Sequence, residues 1–472
     1  ANCGSCVKRA AELETCDEGV CFHEADDDCG GRASDIEINR VSLFQSVEAV
    51  LYDGTNVVAA GARDVDVIEG KEALVRVHVK LGSGFVARQL SARLQLESEE
   101  AESLLLFKKK QITGDSQQGD LNTTFNLAVP ASAIHADTTF HVELVECGAP
   151  ARPSSGVTRV PETGSAELGA RRTGNIQVSF LPIRYNGQLP DTSDAAIAKY
   201  ADEVMKQFGT TEVVTSVLPE FGNYSGPVDM DALLDEVLAK RSADKPAREI
   251  YYYGLLRSHA SLDDYCEGDC TLGIGYVPER SAAFRVGLGV AYGDATSHGT
   301  FAHELGHNLE RQHAPCGDPD DPDEDYPYAD AFIGKWGYDG FAGQLKSPSD
   351  FFDLMGYCEP TWISDYTFNG ISDVIASLHK SASRARLAVR TWESLRVTPS
   401  GVRWSSPLTL EIPSEKAATE AIVYDTSGAE IDRVEAYRFE SSEGRGYRLL
   451  VPPAEPGWYA IGLSGDVALP YP

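Results

Sequence analysis

The sequence contains no apolar run near the ~18 residues that would cross a bilayer as a helix. It also lacks any surplus of positive charge: 41 Lys and Arg stand against 72 Asp and Glu, for a net charge of −31. That is the wrong sign for gripping a phosphate backbone or anionic lipid heads, and it argues against nucleic-acid and membrane partners. No internal repeat or long low-complexity tract interrupts the 472 residues, and methionine is scarce at three. The chain begins at Ala1, with no initiator Met and no charged-then-apolar leader, as expected where a targeting segment has been removed.

What is present is an ordinary globular balance, 42% hydrophobic and 24% charged residues, which predicts a packed fold rather than a disordered acidic chain. At roughly 100 to 200 residues per domain the length predicts about three compact units. Cysteine is the other informative residue. There are ten, and Cys3, Cys6, Cys16, Cys21 and Cys29 fall at the start. Cys3 and Cys6 are spaced like half of a zinc ribbon, but no second C-x-x-C follows, so disulfides and an exported, extracellular protein are expected.

Four further segments follow the Cys-rich stretch 1–34. Residues 35–147 alternate β-branched and polar positions in short runs such as Ala73–Val79, Gln89–Leu96 and Phe140–Leu144, predicting a β-sandwich. A Pro/Gly/Ser-rich stretch, 148–172, reads as a linker. Residues 173–394 change to strand-then-helix order: a strand at Ile176–Leu181, helices over Ser193–Phe208 and Asp231–Arg241, a strand at Ile250–Leu256, a helix from about Ser297 and another over Ile371–Leu387. From 395 short strands return, predicting a C-terminal β-sandwich. The fold class expected is multidomain α+β, with a central α/β unit between β-sandwiches. Isolated histidines at 23, 78, 135, 141, 259 and 379 have no partner nearby in sequence and are read as structural or solvent-facing.

Three of the ten histidines cluster within eleven residues, as His303, His307 and His313. On a helix His303 and His307 are one turn apart on one face, so both imidazoles can reach one ion, while Glu304, rotated by ~100°, can address the ion's water. Three neutral imidazoles leave zinc its full charge and an open position, which lowers a bound water's pKa toward ~7. A carboxylate beside that water can take its proton and hand it to a departing amine.

The run resembles the metzincin zinc endopeptidases, whose pattern is H-E-x-x-H-x-x-G-x-x-H with a distant Met-containing turn; the likeness covers about residues 175–390. It implies His303, His307 and His313 as zinc ligands, Glu304 as catalytic base and acid, and Met355, within Asp353–Tyr357, as a packing base beneath the metal. Tyr357 sits where some branches place a tyrosine that binds zinc or hydrogen-bonds the tetrahedral intermediate; packing under the site is the competing role. The family's helix-ending Gly is replaced by Glu310, which predicts either a reshaped turn, at a cost of about 1 kcal/mol for a non-Gly residue at positive φ, or a carboxylate aimed at the metal. The segment Trp336–Gly340 also resembles one in secreted bacterial mucin-degrading metzincins, while no Pro-Arg-Cys-Gly type inhibitory segment occurs.

Around this centre, Cys316 and Cys358 are the preferred disulfide pair. The acidic run Asp318–Asp325 is oxygen-rich enough for calcium but lacks the spacing of an EF-hand loop, and a solvated loop is the plainer expectation. Tyr326, Tyr328, Phe332, Trp336 and Tyr338 could wall a side-chain pocket or form the loop's own core, and Arg285–Val290 is read as an edge strand able to pair with an extended peptide. The expectation is a secreted zinc endopeptidase acting on protein or glycoprotein substrates, with a monomer favoured but the oligomeric state not fixed by the sequence. The alternative is a surface or glycan-binding protein with a silent metal site, motivated by Glu310 and the accessory domains.

Overall fold

A computed structural model describes residues 15–17, 20–22, 29–148, 156–268, 270–320, 322–380, 389–398, 401–412, 416, 418–442, 446–463 and 468–472. Cys3, Cys6, His23, Asp321 and the end of the helix expected to reach residue 387 lie outside them, as do the side chains of Cys16, Cys21 and His379. The chain is β-rich and multidomain, with few helices among the described residues. No described helix is long and apolar enough to cross a membrane, and three disulfides, Cys29–Cys147, Cys266–Cys270 and Cys316–Cys358, fit an extracellular setting.

The N-terminal unit stacks two sheets. One runs Phe125–Val129, Ala73–Leu81, Ile36–Phe44, Glu48–Tyr52, all antiparallel; the other is built on Thr139–Cys147, Arg88–Glu97 and Leu104–Ile112. Alternate residues of facing strands, Val75, Val77 and Val79 on one side and Leu90, Ala92 and Leu94 on the other, fill the core, as the period of two requires. The stretch read as a linker is in its described part tied to this unit. Arg159–Val160 and Ala166–Glu167 pair with Thr139–Cys147, and Ala170–Arg171 pairs with Val67–Ile68.

The central sheet is ordered Val213–Val217, Ile176–Tyr185, Ile250–Leu256, Val286–Val290, Gly273–Gly275, parallel except for the last strand. Its strands are apolar on both faces because helices cover both. Tyr251, Tyr253 and Leu255 face the helices Asp194–Gln207 and Ala295–Asn308, while Tyr252 and Leu256 face the helix Met230–Asp244. Phe301 anchors the Ala295–Asn308 helix, its ring 5.2 Å from Phe180 and 4.8 Å from Tyr253. The strand Arg285–Val290, expected at an edge, is interior: Val286–Val290 has partners on both sides, and the edge is the antiparallel Gly273–Gly275. The last helix of this unit is Asp365–Lys380, six residues earlier in its start than the apolar spacing alone indicates.

The C-terminal unit is antiparallel, in the order Gly401–Leu410, Arg390–Thr398, Tyr447–Val451, Glu430–Glu440, Thr419–Tyr424, Ala460–Leu463. The first of these strands in sequence, Arg390–Thr398, straddles the boundary expected at residue 394. The long strand Glu430–Glu440 pairs with Thr419–Tyr424 through its first half and with Tyr447–Val451 through its second, folding the sheet over Ala421, Val423, Ala436, Leu449 and Val451.

Of the isolated histidines, His78 is buried within Ala73–Leu81, and its Nε2 has no hydrogen-bond partner. Burial, reinforced by Arg76 and Arg40, pushes its imidazole down to about 3. The unfolded chain takes up this proton near pH 6.5 and the folded chain only near 3. The stability tied to neutral His78 is therefore fully present above pH 6.5 and declines as the pH falls toward 3, by on the order of 1.4 kcal/mol per pH unit. Melting temperatures measured from pH 7 to pH 4.5 should fall less steeply in His78→Leu than in the parent; equal slopes would show that this imidazole is not held neutral.

Candidate metal centre and cleft

The helix Ala295–Asn308 starts where Asp294 caps it, its side chain accepting from Ser297 N at 2.8 Å. One turn apart on its face, His303 and His307 bring their Nε2 atoms to 3.1 Å, and His313, from the loop beyond the helix, places its Nε2 3.1 Å from that of His307. The three are 8%, 1% and 4% exposed, so the cluster is withdrawn from bulk water. His303 Nδ1 donates to Leu354 O at 2.8 Å, and His307 Nδ1 donates to Arg311 O at 2.7 Å. A carbonyl only accepts, so each Nδ1 carries the proton and each Nε2 presents a lone pair to the common point. Three nitrogens on a tetrahedral zinc ion stand about 3.3 Å apart, so the donor set and spacing fit such an ion. Among the described residues the other group of potential ligands close enough together is Glu69, Glu100 and His135, where Arg172 already pairs with both carboxylates.

The third histidine is positioned by a braced loop. Ala314 N donates to Met355 O and Tyr357 N to Cys316 O, at 3.0 and 2.9 Å, and the Cys316–Cys358 disulfide closes the pair of segments. Met355, 1% exposed, packs under the helix at Gly306, where any Cβ would collide with its sulfur. Asp353 ties this turn down by accepting from Met355 N and Ser364 N, and burial pushes its carboxyl up. Tyr357 is 41% exposed, and its hydroxyl lies 2.9 Å from His313 Nε2, on the open side of the cluster.

Glu304 is 1% exposed. Its side chain lies in a niche made by glycines of the two last strands: a Cβ on Gly273 would stand 2.6 Å from Glu304 Oε1, and one on Gly275 would stand 3.1 Å from Oε2. Ser442, from the C-terminal unit, donates to Oε2 at 2.9 Å. Asn308, at the helix end, donates to Tyr276 O and Val286 O and closes the niche from below. The alternating glycines are visible in the sequence; Ser442, 138 residues from Glu304, carries no local signal.

Beside the cluster a cleft of about 720 Å³ runs between Cys270–Gly273, the helix face Ala295–Thr300 and the segment Leu354–Tyr357. Glu203 and Glu359 also line it, and among the described residues no Lys or Arg does. The aromatic loop turns elsewhere. Tyr326 and Tyr328 hydrogen-bond to Phe332 O and Asp365, Phe332 stacks on Phe352, and Trp336–Tyr338 bonds along the Ser46–Glu48 turn of the N-terminal unit, so these residues form the loop's own core and its joint with the sandwich. In the acidic run Asp323 engages Tyr366 and Asp325 N, and its described carboxylates form no cluster of three.

Comparison with protein families matches residues 248–352 to Peptidase M66. The match spans the three histidines and Glu304 and ends before Met355 and Tyr357. It supports a metallopeptidase. No curated protein matches the chain. Among solved structures, a Paenibacillus sp. cycloisomaltooligosaccharide glucanotransferase complexed with cycloisomaltoheptaose aligns over 92% of this chain and 71% of its own at 9% identity, with a TM-score of 0.17, too low to carry any argument.

Glu310 keeps the left-handed turn that glycine would favour, with φ at 65°, and its carboxylate turns away to accept from Arg280 N at 2.6 Å. It joins neither the histidine cluster nor its cleft. In Glu310→Gly, relief of about 1 kcal/mol of backbone strain offsets a lost hydrogen bond of about 1 kcal/mol. Metal analysis should find zinc content unchanged and thermal melts should shift by no more than a few degrees; loss of zinc would return Glu310 to the ligand set.

Proposed function

We propose that the chain is a secreted zinc-dependent endopeptidase of metzincin type that hydrolyses peptide bonds of protein or glycoprotein substrates. The observation that carries this reading is the convergence of three buried imidazole Nε2 atoms, two of them fixed as lone pairs by Nδ1–H bonds to carbonyls, at the wall of an open cleft. The Peptidase M66 match over the same residues supports it. The silent, glycan-binding alternative leaves unexplained why a buried carboxylate is held beside that cleft.

In this reading His303, His307 and His313 hold the ion. Zinc, when bound, supplies Lewis-acid polarisation of the scissile carbonyl and lowers the pKa of a water toward ~7. Glu304 takes the proton of the attacking water and returns it to the leaving amine, so no covalent intermediate is needed. Tyr357, with its hydroxyl at the open side of the cluster, donates to the oxyanion as the carbonyl becomes tetrahedral. The segment 270–273, which leads into the edge strand, and the segment 354–357 hold the peptide extended between them.

Glu304→Gln should retain zinc and lose turnover by about 10³-fold or more on a panel of proteins and glycoproteins, as read by mass-spectrometric mapping of cleavage sites with and without a chelator. A metal-loaded variant that still cleaves would refute the base assignment. Tyr357→Phe should lower kcat by about 10²-fold with KM little changed; full turnover would make the tyrosine a packing residue.

A further inference from the structure

We infer that the C-terminal unit completes the active site, with Ser442 as a positioning residue for Glu304. The inference rests on the reading of Glu304 as the proton-transferring carboxylate.

Ser442 Oγ has two partners across the domain joint. Gly275 N donates to it at 2.8 Å, and it lies 2.9 Å from Glu304 Oε2. A hydroxyl has one proton to give, and the Gly275 amide brings its own, so the Ser442 proton is directed to Oε2. One carboxylate oxygen is thereby held by a fixed donor, and the other, Oε1, is packed against Gly273. A carboxylate so restrained does not have to find its orientation when substrate is bound.

Nothing about this contact is a loose surface encounter. Ser442 N donates to Gly275 O at 2.8 Å, Val277 N donates to Glu440 O at 3.3 Å, and Tyr276 bridges to Ser441, so the segment Glu440–Ser442 adds itself to the edge of the central sheet. Its register is locked on either side. Phe284 stacks on Phe439 with ring centroids 3.8 Å apart, and Tyr276 OH accepts from both Arg396 and Arg448, the latter also paired with Asp235. Leu408, Leu410, Phe439 and Leu450 share one apolar core with Met230–Leu238 and Val286–Leu288. The same pairing occupies the outward groups of Gly275 and Val277, so the free edge facing the cleft ends at Gly273.

The test compares Ser442→Ala, Ser442→Thr and Glu304→Gln in the full-length, zinc-loaded chain, with zinc content and melting temperature measured for each. Ser442→Ala should lower kcat by about tenfold or more, as loss of a hydrogen bond to a buried charge implies, while KM stays within about twofold because Ser442 does not line the cleft. Ser442→Thr, which keeps the hydroxyl, should restore most of kcat. An Ala variant with parental kcat, or a Thr variant as slow as the Ala one at equal zinc content and melting temperature, would overturn the inference. If Glu304→Gln is inactive while Ser442→Ala is not impaired, this inference alone fails; if zinc-loaded Glu304→Gln cleaves, the reading beneath it fails.

Discussion

The lone pairs of His303 and His307 Nε2 face each other from 3.1 Å and repel, and the rest of the centre is arranged to keep them there. The Nδ1–H bonds to Leu354 O and Arg311 O remove the tautomer that would relieve the repulsion by placing a proton on Nε2 of His303 or His307. A cation shared by the three rings would relieve the repulsion between His303 and His307, which is the electrostatic reason the cluster suits a metal ion. The loop supplying His313 must then be stiff enough to hold that geometry. A disulfide, two backbone hydrogen bonds and a fully buried Asp353 under the Met355 turn provide the stiffness.

A second constraint acts through volume. The helix carrying the histidines can approach the sheet closely only because Gly273, Gly275, Gly287 and Gly289 present no side chains on that face. Glu304 occupies the space they leave, and its burial makes a fixed donor at Oε2 valuable, since a buried carboxylate without partners would be driven toward its neutral form. Gly306 plays the corresponding part on the other side of the helix, where it admits Met355.

How much of this was legible in the sequence follows from the range over which each feature is determined. The histidine spacing and the helix that displays it are local, and so are the strand Ile250–Leu256 and the apolar stripes of the first two helices. Glu310 departs from the family pattern in sequence yet keeps the turn, because the backbone demand for positive φ outlasts the loss of the residue that meets it best. The order of strands is not local: Arg285–Val290 has the apolar run of a strand whether it is central or at an edge, and only the antiparallel return of Gly273–Gly275 makes it central. The aromatic loop was open to two readings for the same reason, since its packing partners Phe352, Asp365 and Ser46 lie on other elements.

The joint between the central and C-terminal units shows why accessory modules of this kind resist being treated as passive attachments. Two buried arginines, Arg396 and Arg448, are held there by Asp231, Asp235 and the Tyr276 hydroxyl. Removing one partner of such a pair costs on the order of 3 to 5 kcal/mol, whereas making the pair gains little over an apolar replacement. The ion pairs therefore serve registry more than stability: they fix which residues of the Glu430–Glu440 strand and its following turn meet the sheet edge, and a slip of one residue would turn Ser442 to the other face. Charge placed far from the histidine cluster thus helps set which residue meets Glu304 Oε2, and the surroundings of that buried carboxylate depend on the docking of a unit that adds no histidine to the cluster.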